Sequence, residues 1–362
     1  MQPNQGGFTL IEVLIAAAIG SIMISSLLWL MVNLLGTERR ESALSETERD
    51  MKRALAYMTS ELKQAVYIYD GSCTTVGSNN VCAPYFHTNP DTAAFLPSSW
   101  VGEMNDTNPD TVPVLAFWKT DPADEAELGT VNCNDSIYTY SGIASAECTS
   151  LKRRRFTYSL VVYTQDTVPD DDATWSGRTT IQRLEVAKYR DEDSDGKYYD
   201  DFAKNRVPGF VDPADAGVGI FPTWPYILSG TTECNLQTSC ADVDGSLANT
   251  FFPAGVKTAV SGTYSKRDVL TDFVDKYLPD DLANPTCPSA DYRLTTLNTA
   301  GSTVLSRSFY ACVRSVDNVS SNQDVILFLR GNAYGRSGLE TDLTTAVLQT
   351  RVTLRGVIDK EP

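Results

Sequence analysis

The chain has 362 residues, with 30 Lys+Arg against 46 Asp+Glu and a net charge of −16. Its length allows one large domain or two modest ones, and 42% hydrophobic with 21% charged residues reads as globular rather than disordered. The acidic balance argues against a nucleic-acid partner, a single histidine (His87) against His-rich metal sites, and eight cysteines point to an oxidising compartment.

Residues 8–35 read FTLIEVLIAAAIGSIMISSLLWLMVNLL, with Glu12 as the only charged side chain. As a helix this run would be roughly 42 Å long, more than the ~30 Å hydrocarbon core of a bilayer, so it can span. An ordinary secretory signal fits poorly, because the leading MQPNQGG carries no Lys or Arg and the apolar run exceeds the usual length. A carboxylate inside a spanning helix is costly unless paired, which makes Glu12 a functional candidate.

Gly7-Phe8-Thr9-Leu10-Ile11-Glu12-Val13-Leu14 resembles the prepilin signal of type IV pilins and type II secretion pseudopilins. The resemblance implies cleavage between Gly7 and Phe8 by a prepilin peptidase, removing a 1–7 leader, followed by N-methylation of Phe8. Glu12 then takes the family's fifth mature position, where it can meet the Phe8 ammonium of a neighbouring subunit. Two charges that are each expensive in low dielectric are neutralised together, and the pairing selects a register more than it adds stability. The partners implied are major and other minor pilins, the prepilin peptidase, an inner-membrane assembly platform, and the membrane itself before assembly. Trp29 stands where the family carries a mid-helix proline. Arg39 and Arg40, just past the apolar run, would by the positive-inside rule keep the following domain in the cytoplasm. The cleavage motif and the cysteine usage require the opposite orientation.

Beyond the membrane segment, Leu44, Met51, Leu55, Met58, Leu62 and Val66 recur at helical spacing, and residues 38–64 hold six acids and six bases. This predicts an amphipathic continuation over 36–69. Strands are expected at Val112–Lys119, Ile137–Tyr140, Phe156–Tyr163, Ile181–Tyr189, Val325–Leu329 and Val347–Leu354, separated by Gly, Pro, Asn and Asp clusters. Residues 200–300 hold few clear strands and read as a loop-rich insertion. The predicted fold class is α+β: a long N-terminal helix packed on an antiparallel β-sheet head over 70–362.

The cysteines fall into sequential neighbours, Cys73/Cys82, Cys133/Cys148, Cys234/Cys240 and Cys287/Cys312, and four local disulfides are the simplest expectation among 105 pairings. Zinc is the competitor, but no C-x-x-C knuckle is present. Asp191, Asp193 and Asp195 followed by Gly196 form a D-x-D-x-D-G run, the first half of an EF-hand-type calcium loop. The Lys197 carbonyl could be a further ligand. Phe202 occupies the twelfth position in place of the bidentate Glu, and Asp200 and Asp201 fall just before it. The competing reading is a solvated acidic turn. Catalysis would have to run through His87, which lacks any nucleophile motif, and no G-x-S-x-G elbow or P-loop occurs.

Taken together, the sequence predicts a minor type IV pilin or pseudopilin: non-enzymatic, held in the inner membrane with its head in the periplasm, then assembled into a pilus or pseudopilus. The size of the head is similar to that of larger minor pilins, including cyanobacterial hormogonium polysaccharide secretion pseudopilins. Two alternatives are a head acting as an adhesin for a surface or glycan, through aromatic residues of 200–300, and a membrane-anchored exported enzyme that shares the leader.

Overall fold

The computed structural model describes residues 9–71, 73–76, 79–82, 111–134, 143–168, 174–191, 194, 196–199, 205, 227–229, 232–234, 266–296, 304–315, 323–336 and 339–354. Helix α1 runs Leu10–Leu62, 53 residues and therefore roughly 80 Å. It is followed by β1 (Ala65–Ile68), β2 (Cys73–Val76), β3 (Asn79–Cys82), β4 (Thr111–Pro122), α2 (Glu125–Thr130) and α3 (Ile143–Arg154). Then come β5 (Phe156–Thr167), β6 (Thr179–Val186), β7 (Ile227–Ser229), β8 (Thr232–Cys234), β9 (Lys266–Val274), β10 (Tyr292–Leu294), β11 (Phe309–Arg314), β12 (Asp324–Leu329) and β13 (Leu348–Thr353).

A five-stranded antiparallel sheet has the order β1-β4-β5-β6-β9, and a four-stranded antiparallel sheet has the order β10-β11-β12-β13. The pairs β2–β3 and β7–β8 form separate hairpins. The C-terminal half of α1 shares one core with both sheets: Met51, Leu55, Met58 and Leu62 join Phe117, Val161 and Tyr163 of the first sheet and Phe309, Leu327 and Val352 of the second. The α+β arrangement expected from the sequence is the one observed.

Two buried amides fasten the sheets to each other. Gln323 behaves as a borrowed peptide unit at the edge of β1: its Nε2 donates to the Ile68 carbonyl at 2.7 Å and its Oε1 accepts from the Ile68 N–H at 3.1 Å. Gln165 of β5 donates to the Asp275 carbonyl and Thr179 Oγ1, both at 2.8 Å, and accepts from Ser306 Oγ at 2.7 Å. Each amide is bonded through both its nitrogen and its oxygen, so burial costs little and the sheet-to-sheet geometry is specified.

The structure moves two boundaries. α1 stops at Leu62, and Val66 lies in β1 rather than on a helical stripe. The insertion ends early as well, because Lys266–Val274 returns to the first sheet as its outer strand beside β6. Of the expected strands, Val112–Lys119, Phe156–Tyr163, Ile181–Tyr189, Val325–Leu329 and Val347–Leu354 coincide with β4, β5, β6, β12 and β13 within a few residues. Ile137–Tyr140 lies outside the described residues.

Candidate functional site

The first turn of α1 is organised around Glu12. Thr9 is the N-cap, its Oγ1 accepting from the Glu12 N–H at 3.4 Å while Glu12 Oε2 accepts from the Thr9 N–H at 3.4 Å. This capping box satisfies two helix-end donors reciprocally and places a carboxylate at the positive end of the helix dipole. Gly7 and Phe8 lie outside the described residues. The carboxylate thus sits one turn inside the helix, three residues from Thr9, and is held by long bonds within its own chain.

From Leu10 to Leu35 no apolar side chain is buried: Leu10 is 84% exposed, Trp29 70% and Ile22 69%. Three serines within this stretch return their hydroxyls to the helix backbone, Ser21 to Ala18, Ser25 to Ser21 and Ser26 to Met23. The surface left over is almost wholly hydrocarbon. α1 is long and apolar enough at this end to cross a membrane.

The other half of α1 is locked to the head by charge as well as by packing. Glu61, on the same face as Met58 and Leu62, accepts from Arg183 Nε at 3.0 and 2.9 Å and from the Tyr163 hydroxyl. Lys119 Nζ lies 3.4 Å from Glu61 and 2.9 Å from Glu185, and Arg183 bonds Glu185 at 2.8 Å. Burial pushes the Glu61 carboxyl up, but the bonds from Arg183 and Tyr163 and the Arg183 and Lys119 charges more than reverse it. Glu185 is held low in the same way, and Lys119 is raised by Glu185 and Asp121 against its burial. Higher on the helix, Arg336 reaches Glu46 at 3.0 Å, bonds Asp50, and stacks over Phe273 at 3.9 Å. Gly331 allows this approach: a Cβ there would meet Thr47 Cγ2 at 2.6 Å and Met51 Cγ at 3.0 Å.

The sequence reading missed this cluster, although a signal was present. Glu61 interrupts an apolar stripe between Met58 and Leu62, and Arg183 and Glu185 alternate with Ile181 on the core face of β6.

Of the acidic turn, the Asp191 carboxylate accepts from the Gly196 N–H at 2.7 Å, and the Lys197 carbonyl accepts from Asn205 Nδ2 at 3.4 Å. Gly196 adopts φ +82°, a turn conformation that suits glycine. Glu127 of α2 accepts from the Tyr198 N–H at 2.7 Å, tying the turn to a small core of Leu128, Leu151, Tyr189 and Tyr199. Asp193, Asp195, Asp200 and Asp201 lie outside the described residues.

Two of the expected disulfides are formed, Cys133–Cys148 and Cys287–Cys312. The first closes the α2–α3 segment, and the second pins the loop before β10 to the centre of the second sheet. Cys73 and Cys82 are direct Cα partners across the β2–β3 ladder. Cys234 ends β8, while Cys240 and His87 lie outside the described residues.

No curated protein and no solved structure matches the chain. Residues 2–28 match the family described as the prokaryotic N-terminal methylation motif. That span covers Gly7, Phe8, Glu12 and exposed apolar turns of α1, so the chain carries the N-terminus of a type IV pilin-like protein.

Proposed function

We propose that the protein is a minor pilin or pseudopilin, a non-enzymatic subunit that joins a filament through α1 and displays a large disulfide-linked head. The apolar surface from Leu10 to Leu35 finds no cover among the described residues, and this exposed length carries the assignment. Lipid covers it before assembly and the helices of neighbouring subunits cover it afterwards. Prepilin peptidase cuts after Gly7 and leaves an amine at Phe8, immediately before the Thr9 cap. Glu12 is then poised between two uses, its own helix cap and the amine of a neighbour. The long 3.4 Å cap bonds make it cheap to release.

The size of the head supports a low-copy place in the filament, and its disulfides support an oxidising compartment, with the head in the periplasm after inner-membrane insertion. The acidic turn at Asp191–Lys197 is proposed to take calcium structurally, supported by its alternating carboxylates. Glu12→Val tests the assembly role. The variant should insert into the membrane and keep a folded head, yet be depleted from sheared filaments relative to wild type. Equal incorporation removes Glu12 from the assembly mechanism.

A further inference from the structure

At the end of the head where β5 turns into β6, a cleft of about 580 Å³ opens between the β5–β6 connection, the segment after β9 and the β12–β13 connection. Its size falls within the roughly 300–1,000 Å³ of small-molecule sites. Trp175, Tyr277 and Tyr334 supply aromatic walls, and Arg178, Lys276 and Asp342 supply the polar groups.

The polar groups are arranged in pairs. Arg178 lies over the Tyr334 ring at 3.5 Å and donates from Nε to Asp342 Oδ1 at 3.0 Å. That leaves its terminal nitrogens without a hydrogen-bond partner among the described residues. The Arg178 and Asp342 side chains remain 36% and 51% exposed, so both face an incoming ligand. Burial pushes the Asp342 carboxyl up, and the bonds from Arg178 and Asn332 more than reverse it, so it stays an acceptor. Lys276 forms an exposed ion pair with Asp280 at 3.1 Å.

Several of the described wall residues are tied down within the chain. Asp272 accepts from the Ser176 and Gly177 N–H groups at 3.1 and 3.2 Å. Gly335, at φ +85°, lets its segment pack directly against the Ser176 carbonyl. The Tyr277 hydroxyl donates to the Gln165 carbonyl at 3.2 Å and accepts from Thr167.

We propose that this cleft binds a neutral saccharide. Vicinal sugar hydroxyls can donate to the Asp342 carboxylate and accept from the Arg178 guanidinium at once, both charge-assisted bonds. The C–H face of a pyranose can lie on an aromatic ring, whose negative face attracts polarised hydrogens. An apolar ligand would strand Arg178, Asp342 and the Tyr334 hydroxyl without water. A phosphate or carboxylate ligand is disfavoured because Asp342 sits beside Arg178, Asp280 sits beside Lys276, and the chain carries −16 overall. The tied-down wall residues reduce the ordering cost of binding. This site does not depend on filament membership, since the purified chain suffices to test it.

The test uses the full chain in a detergent without a sugar headgroup. Saturation-transfer NMR is run against galactose, glucose, mannose and N-acetylglucosamine, with galacturonic acid as the charged comparison. At least one neutral sugar should bind, and Trp175→Ala and Tyr334→Ala should each weaken it about tenfold or more. Should either variant melt early, Tyr334→Phe keeps the ring, and loss of its hydroxyl should still weaken binding several-fold. No binding by any neutral sugar, binding by galacturonic acid alone, or unchanged affinity in folded variants would overturn the proposal.

Discussion

The two halves of α1 are one continuous helix living in two environments. Residues 10–35 expose nearly every large apolar side chain, whereas Met51, Met58 and Leu62 are completely covered by the two sheets. Helical periodicity accounts for the second half only, where one face is apolar and the other charged. The first half is apolar all round, the pattern of a helix whose surroundings are hydrocarbon or other helices. The difference teaches that the packing of the head and the exposed apolar surface proposed to build a filament are written on separate stretches of the same element. Changes in one should leave the other intact.

The largest expected effect comes from breaking the charge cluster beneath the second half. Glu61→Ala removes the paired carboxylate of Arg183, leaves Arg183 and Lys119 to share Glu185, and should cost about 3–5 kcal/mol in denaturant unfolding of the head. The cluster also sets a pH dependence. Because the folded Glu61 carboxyl is held below its ordinary value of 4.5, its contribution is present above that value and fades as the pH falls beneath it. Acid titration of wild type should therefore lose stability below the ordinary carboxylate range, and Glu61→Gln should flatten part of that slope. Identical acid profiles would show that Glu61 does not carry the linkage.

Packing gives the sharpest contrast between the halves. Met58→Ala, in the covered half, should cost about 2–5 kcal/mol. Leu28→Ala, 30 residues earlier on the same helix and 58% exposed, should stay within about 0.5 kcal/mol of wild type. Comparable losses at the two positions would mean that the head reaches much further along α1 than the sheets do.

Cross-links come next. Replacing both Cys287 and Cys312 by Ser removes a link between residues 25 apart and should lower head stability by about 2–4 kcal/mol, read as a drop in melting temperature. Insertion of the apolar half of α1 into membranes should not change. The smallest effect is expected from calcium. Millimolar calcium should raise the melting temperature of the head by linkage, and Asp193→Ala with Asp195→Ala should abolish the rise. An unchanged melt in wild type leaves the loop as a solvated acidic turn.

The sequence made the helix and the long central strands readable because their signals are local. β4, β5 and β6 are runs of β-branched and aromatic residues, and the apolar N-terminus needs no partner to be recognised. β9 and β11 were less legible for a physical reason. KRDVLTDFV mixes charges into a strand that lies on the rim of the first sheet, and FYACVR is short with a disulfide at its middle. Their strand character comes from long-range pairing, β9 with β6 and β11 with β12, which no local pattern announces. The cleft proposed to take a saccharide was invisible for the same reason. Trp175, Tyr277 and Tyr334 are far apart in the chain and are brought around one cleft only by the tertiary fold. Gly7, Phe8 and Glu12, by contrast, sit in one contiguous motif and could be read directly.

That contiguous motif makes the central claim directly measurable. Filaments sheared from cells should yield this protein with a mature N-terminus at Phe8, methylated on its amine, by mass spectrometry of the intact chain and its N-terminal peptide. Filament-associated protein that begins at Met1, with residues 1–7 retained, would contradict the account.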